Sequence, residues 1–260
     1  MIMKAARSRR RSLCLLGSAL ANLLPLPASA QEVPLPPRRP SDLGGVQRPA
    51  TGEPAGSKKP AEVEAPRADG VNGCLARLRD LGADVDPAVQ LQPSNASCAI
   101  EEPVRLRGLT LTIDGGFKVG FPDQPVVACR FAEPLTRFVR DLVASVVAGQ
   151  IGGGTELKAI HTGPGFECRN QNRAASGKLS SHGTGIAVDV AALVLTSGDT
   201  IAIKTAAQDQ RGKALISAIR TAACGWFTTV LGPGSDAYHD DHLHLDIQQH
   251  GSSDRYRICQ

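Results

Sequence analysis

The sequence predicts an α+β domain in which helices pack on an antiparallel sheet and disulfides staple the two together. Three observations carry that reading. Short β-prone runs and three helical stretches fill residues 73–260. Glycine-rich turn signals stand between consecutive strand candidates, as hairpins require. Six cysteines, Cys74, Cys98, Cys129, Cys168, Cys224 and Cys259, are widely spaced and include no C-x-x-C pair. That argues for three disulfides in an oxidising compartment rather than for a structural zinc knot. Spacing leaves the connectivity open; proximity along the chain favours Cys74 with Cys98 and Cys224 with Cys259.

Two segments precede this domain. Residues 1–30 read as a secretory signal: Lys4, Arg7, Arg9, Arg10 and Arg11 lead a short apolar run, and Ala28-Ser29-Ala30 offers a small-residue cleavage site. The run is shorter than the roughly 20 residues a membrane span takes. Cys14 lies at its beginning, without the small residues that would mark a lipoprotein. The mature chain is therefore expected outside the cytoplasm, periplasmic or wall-associated, with no stable membrane anchor. Five basic residues leave with the signal, so 29 Lys plus Arg against 25 Asp plus Glu becomes 24 against 25. The basic balance belongs to the precursor, and no basic stripe interleaved with aromatics points to nucleic acid. Residues 31–72 hold eight of the 18 prolines and six basic against six acidic residues. Such a composition buries too little apolar surface to offset the entropy of ordering, so a flexible linker is expected.

The domain, residues 73–260, is long enough for one real core. Residues 74–81 carry Leu75, Leu78 and Leu81 at helical spacing. Strands are expected at 109–113 and 117–121 around Asp114-Gly115-Gly116. The clearest helix spans 133–147, with Pro134 in its first turn and an apolar stripe through Leu135, Phe138, Val139, Leu142, Val143, Val146 and Val147. Gly149 is its expected stop. A strand at 156–161 ends on His161, a surface or cleft-rim residue. Strands at 191–195 and 200–203 flank Ser197-Gly198-Asp199. A helix at 213–223 turns Leu215, Ala218, Ile219 and Ala222 inward, and strands at 228–231 and 242–247 close the chain.

The chemistry concentrates between Ser180 and Asp246, where four of the six histidines lie. His182 precedes a β-prone run that carries Asp189. His242, His244 and Asp246 alternate with Leu243, Leu245 and Ile247, which puts two imidazoles and a carboxylate on one strand face. A catalytic zinc takes about three such ligands and keeps one position open. The polar run Cys168-Arg169-Asn170-Gln171-Asn172-Arg173 stands just ahead, and the planar guanidinium of Arg169 suits a substrate carboxylate.

The pattern S-x-H-x-x-G-x-A-x-D, filled by Ser180, His182, Gly185, Ala187 and Asp189, resembles the first zinc motif of the D-alanyl-D-alanine carboxypeptidase and murein endopeptidase superfamily, which includes hedgehog-type domains. H-x-x-H-x-H, filled by His239, His242 and His244, is similar to the second motif of its endopeptidase branch. CRNQN, GKLSSHGTGIAVDV, TVLGPG and HDDHLHLD, in this order, resemble the bacterial extensin-like C-terminal domain family over about residues 73–260. These resemblances imply a hedgehog-like fold and a Zn2+ held by His182, Asp189 and His244. They imply a zinc peptidase acting on peptidoglycan peptides, endopeptidase rather than carboxypeptidase. Asp241 or His239 would be the base, with His242 stabilising the oxyanion or the base; Arg169 and Ser180 would bind substrate. The chain departs from the peptidase branches at Asp241, where a glutamate often stands. A non-catalytic zinc- or wall-peptide-binding module and a disulfide-stapled structural protein are the alternatives. Monomeric action is expected, and the few aromatics, one Trp, two Tyr and six Phe, argue against a sugar-stacking platform.

Overall fold

The computed structural model describes residues 70–89, 95, 97–112, 116–252 and 256–260. The expected signal and nearly all of the expected linker lie outside the described residues. Helix α1 (Gly70–Asp80) begins inside the latter, so residues 70–72 belong to the folded body, and it buries Cys74, Leu75 and Leu78.

Strand β1 (Ala83–Pro87) pairs antiparallel with β2 (Pro103–Leu111). The other edge of β2 is shared end to end by β3 (Phe117–Gly120) and β4 (Val126–Ala128), both antiparallel to it. The expected hairpin around Asp114 is thus present, although residues 113–115 of its turn lie outside the described ones. Next, β5 (Leu157–Thr162) lies antiparallel to β6 (Ala187–Leu195), and β6 carries on its far edge both β7 (Thr200–Ala202) and β9 (Leu243–Asp246). Strand β8 (Thr229–Leu231) follows β9, and β10 (Ile258–Cys259) closes the order.

The sheet is mixed rather than antiparallel as expected: β3 meets β5 in parallel, and β10 meets β8 in parallel. The first parallel contact has a plain cause. Parallel neighbours need a crossover of a dozen or more residues, and the long helical stretch between β4 and β5 supplies it. That stretch comprises α2 (Cys129–Phe138), a π-turn (Val139–Val143) and α3 (Ala144–Ile151).

The helix differs from its expected form in three ways. It starts four residues earlier, which places Pro134 inside it rather than in the first turn. The π-turn inserts an extra residue per turn and rotates the stripe, so Val139, Val143 and Val147 stay buried while Leu142 and Val146 are only partly covered. Gly149 lies within the helix; the stop is Gly152, which takes the left-handed φ of 70°. Two further helices follow, the short α4 (Ile203–Ala206) and α5 (Gln210–Ala223). Asp209 caps α5 by accepting from the Gly212 N–H at 2.8 Å. Gly212, Leu215, Ile216, Ile219 and Ala223 are its buried residues, while Ala218 and Ala222, expected inward, are half-buried.

Helices and sheet share one core. Phe138 and Phe227 meet edge to face at 5.2 Å, with Phe131 5.9 Å from Phe227. Leu135, Phe138 and Ile219 line one small space with Val190, Leu243 and Leu245. This helix-facing side of β6 and β9 leaves Asp189, His244 and Asp246 to the opposite face.

Three disulfides join Cys74 to Cys129, Cys98 to Cys168 and Cys224 to Cys259. The expected Cys74–Cys98 pair is therefore corrected. Packing of α1 beside α2 sets Cys74 against Cys129, 55 residues away. Cys98 instead holds the polar run ahead of the histidine motif. Three bridges fit an extracytoplasmic protein. No helix among the described residues is long and apolar enough to cross a membrane.

Candidate metal centre

The register of β6 on β9 sets Asp189 directly opposite His244, with Val188 against Leu245 and Val190 against Leu243. Opposed residues on one face have neighbouring side chains, so a carboxylate and an imidazole meet without any loop having to bring them together. His182 joins from the 3-10 turn Ser181–Thr184 that feeds β6. The turn depends on Gly185, whose N–H bonds the His182 carbonyl at 3.0 Å with a φ of 69°. A Cβ there would lie 2.8 Å from Ile100 and 2.9 Å from the Ala128 nitrogen. The glycine of the first motif is thus a backbone requirement.

Three donor atoms converge. His182 Nε2 lies 3.2 Å from Asp189 Oδ1 and 3.2 Å from His244 Nδ1, and His244 Nδ1 lies 2.9 Å from Asp189 Oδ1. In a tetrahedral site with bonds of about 2.0–2.1 Å, ligand atoms stand about 3.3 Å apart. The triangle therefore has the size a zinc ion needs. The outer ring nitrogens settle the direction of the inner ones. His182 Nδ1 donates to the Gly165 carbonyl at 2.7 Å, and His244 Nε2 donates to Asp246 Oδ2 at 3.1 Å. In its neutral form each ring then aims an unprotonated nitrogen inward, the arrangement in which outer partners orient metal-binding histidines. Three electron-pair donors so close together repel one another unless a cation lies between them.

The titration of the metal-free site expresses the same demand. Burial works to raise Asp189, but the bonds and charges of His182 and His244 overcome it and hold the carboxyl far below its usual range. Burial works to lower His244, but Asp189 and Asp246 overcome it and push the imidazole up to about 9. A proton takes the place that a metal ion would fill.

The triad lies in a cavity of about 590 Å³. His239 and His242 both line it, with ring centroids 5.2 Å apart and His239 5.7 Å from His244. His242 Nε2 reaches to 3.5 Å from Asp189 Oδ1, while its Nδ1 is held by Asp241 Oδ1 at 2.8 Å. Asp241 itself is 59% exposed and does not line the cavity; it orients His242 from outside. His239 Nδ1 is held in the same manner by Asp236 Oδ1 at 2.7 Å. Ser180 lines the cavity, and its hydroxyl accepts from the His182 N–H at 3.4 Å, a cap on the turn. Arg169 also lines it, with Nε donating to Glu167 at 2.8 Å. His161 pairs with Asp123 at 3.2 Å and lies outside the cavity lining.

Four contributors to the geometry of the site were given no role by the sequence reading. Asp246 shares the strand face of His244, so the period-2 pattern placed it, but nothing in the pattern gave it the role of orienting that ring. Ser181 Oγ donates to Asp246 Oδ2 at 2.9 Å. Asp236 stands three residues before His239 in a turn, the only available signal. The Gly165 carbonyl left none. Beyond Asp246, Thr229 Oγ1 lies 2.7 Å from His250 Nε2, so the sixth histidine also borders the cavity.

In chelator-stripped protein, His244 stabilises the fold fully below its ordinary 6.5 and loses that contribution as pH rises through about 9. Asp189 contributes above its ordinary 3.8 and less at lower pH. The melting temperature of the stripped protein should therefore fall between pH 6.5 and 9, and added Zn2+, which needs His244 unprotonated, should remove that fall. Replacing Asp246 by Asn should weaken Zn2+ binding about 10–100-fold in a chelator competition, while far-UV circular dichroism stays unchanged.

No curated protein and no solved structure matches the chain. One family model does, over residues 72–260, a span that takes in all but the first two residues of α1, the entire sheet and every residue of the site. The chain belongs to the family described as Extensin-like protein C-terminus.

Proposed function

We propose that the domain is a zinc-dependent hydrolase of an amide bond in peptidoglycan peptides, acting outside the cytoplasmic membrane on a crosslink in preference to a terminal residue. The hedgehog and D-alanyl-D-alanine peptidase type of fold is part of the same proposal. One observation carries it: three zinc-type donors 2.9–3.2 Å apart share an open cavity with two further imidazoles, each oriented by a carboxylate. A closed structural site would have no use for the additional pair.

A zinc ion held by His182, Asp189 and His244 would supply a Lewis acid for the scissile carbonyl and acidify water. The protein groups then divide the proton traffic. His242 Nε2, aimed at the triad with Nδ1–H fixed on Asp241, is placed to take a proton from water. His239, whose Nδ1 is fixed on Asp236, presents its other nitrogen to the cavity and is placed to stabilise the oxyanion or to protonate the leaving amine. Asp241, one of the two bases considered from sequence, becomes a positioning residue in this scheme. The Gly165 carbonyl and Asp246 keep the two triad histidines directed inward. The position where the peptidase branches often carry a glutamate is thus served by an Asp–His pair.

The test is incubation of the mature chain, residues 31–260, with purified peptidoglycan, with and without a chelator, and identification of released fragments by mass spectrometry. Chelator-sensitive release of peptide fragments is expected, with the fragment masses naming the bond. His242→Ala should lower the rate about 10²–10⁴-fold with zinc content unchanged. Bound zinc without cleavage of any crosslink type would favour the binding module instead.

A further inference from the structure

The wall of the cavity formed by the polar run is built unlike an ordinary loop. Cys168 anchors it to Cys98, the Ser180 N–H bonds the Arg169 carbonyl at 3.0 Å, and Asn170 bridges to Leu179. The segment is therefore a narrow antiparallel arm growing directly out of the histidine motif. At its turn, Asn172 and Arg173 both adopt left-handed backbone, with φ of 53° and 54°. Two consecutive non-glycine residues there cost about 1 kcal/mol or more each, and such strain persists only where the surroundings enforce it. Asn170 enforces it, donating from its side chain to the Ala174 carbonyl at 3.0 Å while its own carbonyl accepts from the Arg173 N–H at 3.2 Å.

The enforced turn brings Arg173 back onto Glu167. That carboxylate accepts from Arg169 Nε at 2.8 Å and from both terminal nitrogens of Arg173, Nη2 at 3.0 Å. Two guanidinium groups thus share one carboxylate, so the trio carries a net positive charge. Arg169, Asn172 and Arg173 line the cavity of the triad, and Glu167 does not. The cations face the cavity and their anchor stands behind them.

We propose that Arg169 and Arg173, set in place by Glu167, form a carboxylate-binding subsite, and that the substrate is a peptide bearing a free carboxylate near the scissile amide. The reading rests on the proposed hydrolase and names its substrate class. A guanidinium presents paired N–H donors that fit a carboxylate in a bidentate manner. Glu167 is a positioning residue. On charge alone its removal would strengthen anion binding, whereas as an anchor its removal disperses the two forks.

The test measures binding by titration calorimetry on the zinc-loaded mature chain carrying His242→Ala to block turnover. The probes are the stem peptide acetyl-L-Ala-γ-D-Glu-L-Lys-D-Ala-D-Ala, its C-terminal amide and its glutamate amide. One amide should bind about tenfold more weakly than the parent peptide, and which one identifies the carboxylate. Arg173→Ala and Glu167→Gln should each abolish that difference, and Arg173→Lys should keep only part of it, with zinc stoichiometry unchanged. Equal binding of all three probes overturns the proposal. So does a preference that survives Arg173→Ala, which would send the carboxylate to the metal, or tighter binding by Glu167→Gln. The preference without hydrolysis by the unsubstituted protein would sustain the subsite and defeat the hydrolase; hydrolysis without the preference would do the reverse.

Discussion

The pairing of β6 with β9 in one register is the constraint on which the rest of the site depends. Side chains alternate across a sheet, so a slip of one residue would set a valine opposite His244 and turn Asp189 toward the helices. The hydrophobic face forbids that slip. Val188 and Val190 on β6 and Leu243 and Leu245 on β9 are all buried, Val190, Leu243 and Leu245 beside Leu135 and Phe138, and burying Asp189 there would strand a charge in an apolar layer. The core thus fixes the chemistry of the opposite face. The disulfides act on the same frame from its margins: Cys98–Cys168 holds the arm that leads into His182, and Cys224–Cys259 ties the end of α5 to the strand beside β8.

Around this pair the site is arranged in shells of decreasing burial. Asp189 and His244 meet with His182 at the centre. Gly165 and Asp246 take the outer protons of the two rings, and Ser181 and the Gln248 N–H in turn satisfy Asp246. Burial works to raise the Asp246 carboxyl, but the bond and charge of His244, with Thr229 and the Gln248 N–H, outweigh it and hold the group below its usual range. The second imidazole pair is oriented from the solvent side by Asp236 and Asp241, at the cavity mouth. Four carboxylates therefore serve four histidines in different ways: Asp189 as a prospective ligand, Asp246 behind a ligand, and Asp236 and Asp241 behind the two imidazoles available for proton transfer.

Much of this was legible in the sequence, for physical reasons. His244 and Asp246 alternate with leucines, so a strand reading places both on one face; the first motif supplies His182 and Asp189 seven residues apart on a turn and a strand. The helices and most strands follow from period and punctuation in the same way. What escaped was set by contacts distant in the chain. Nothing local tells Cys74 that α2 will bring Cys129 rather than Cys98. Asp241 sits at a family position that suggests a base, yet its backbone turns the side chain to the outer nitrogen of His242. The parallel contact of β3 with β5 needed the long helix to be recognised as a crossover, and the π-turn that rotates its stripe has no local signature. Arg169 was legible as a cation near the site, but its partnership with Arg173 depends on a strained turn that propensity would not choose.

The central claim is that His182, Asp189 and His244 hold one zinc ion and leave it an open position. Diffraction at the zinc absorption edge from crystals of the mature chain tests it most directly. The account predicts a single strong anomalous peak about 2.0–2.2 Å from His182 Nε2, Asp189 Oδ1 and His244 Nδ1, with no fourth protein ligand. Absence of a peak after growth with Zn2+, or a fourth bond from His242 that closes the coordination shell, would contradict it.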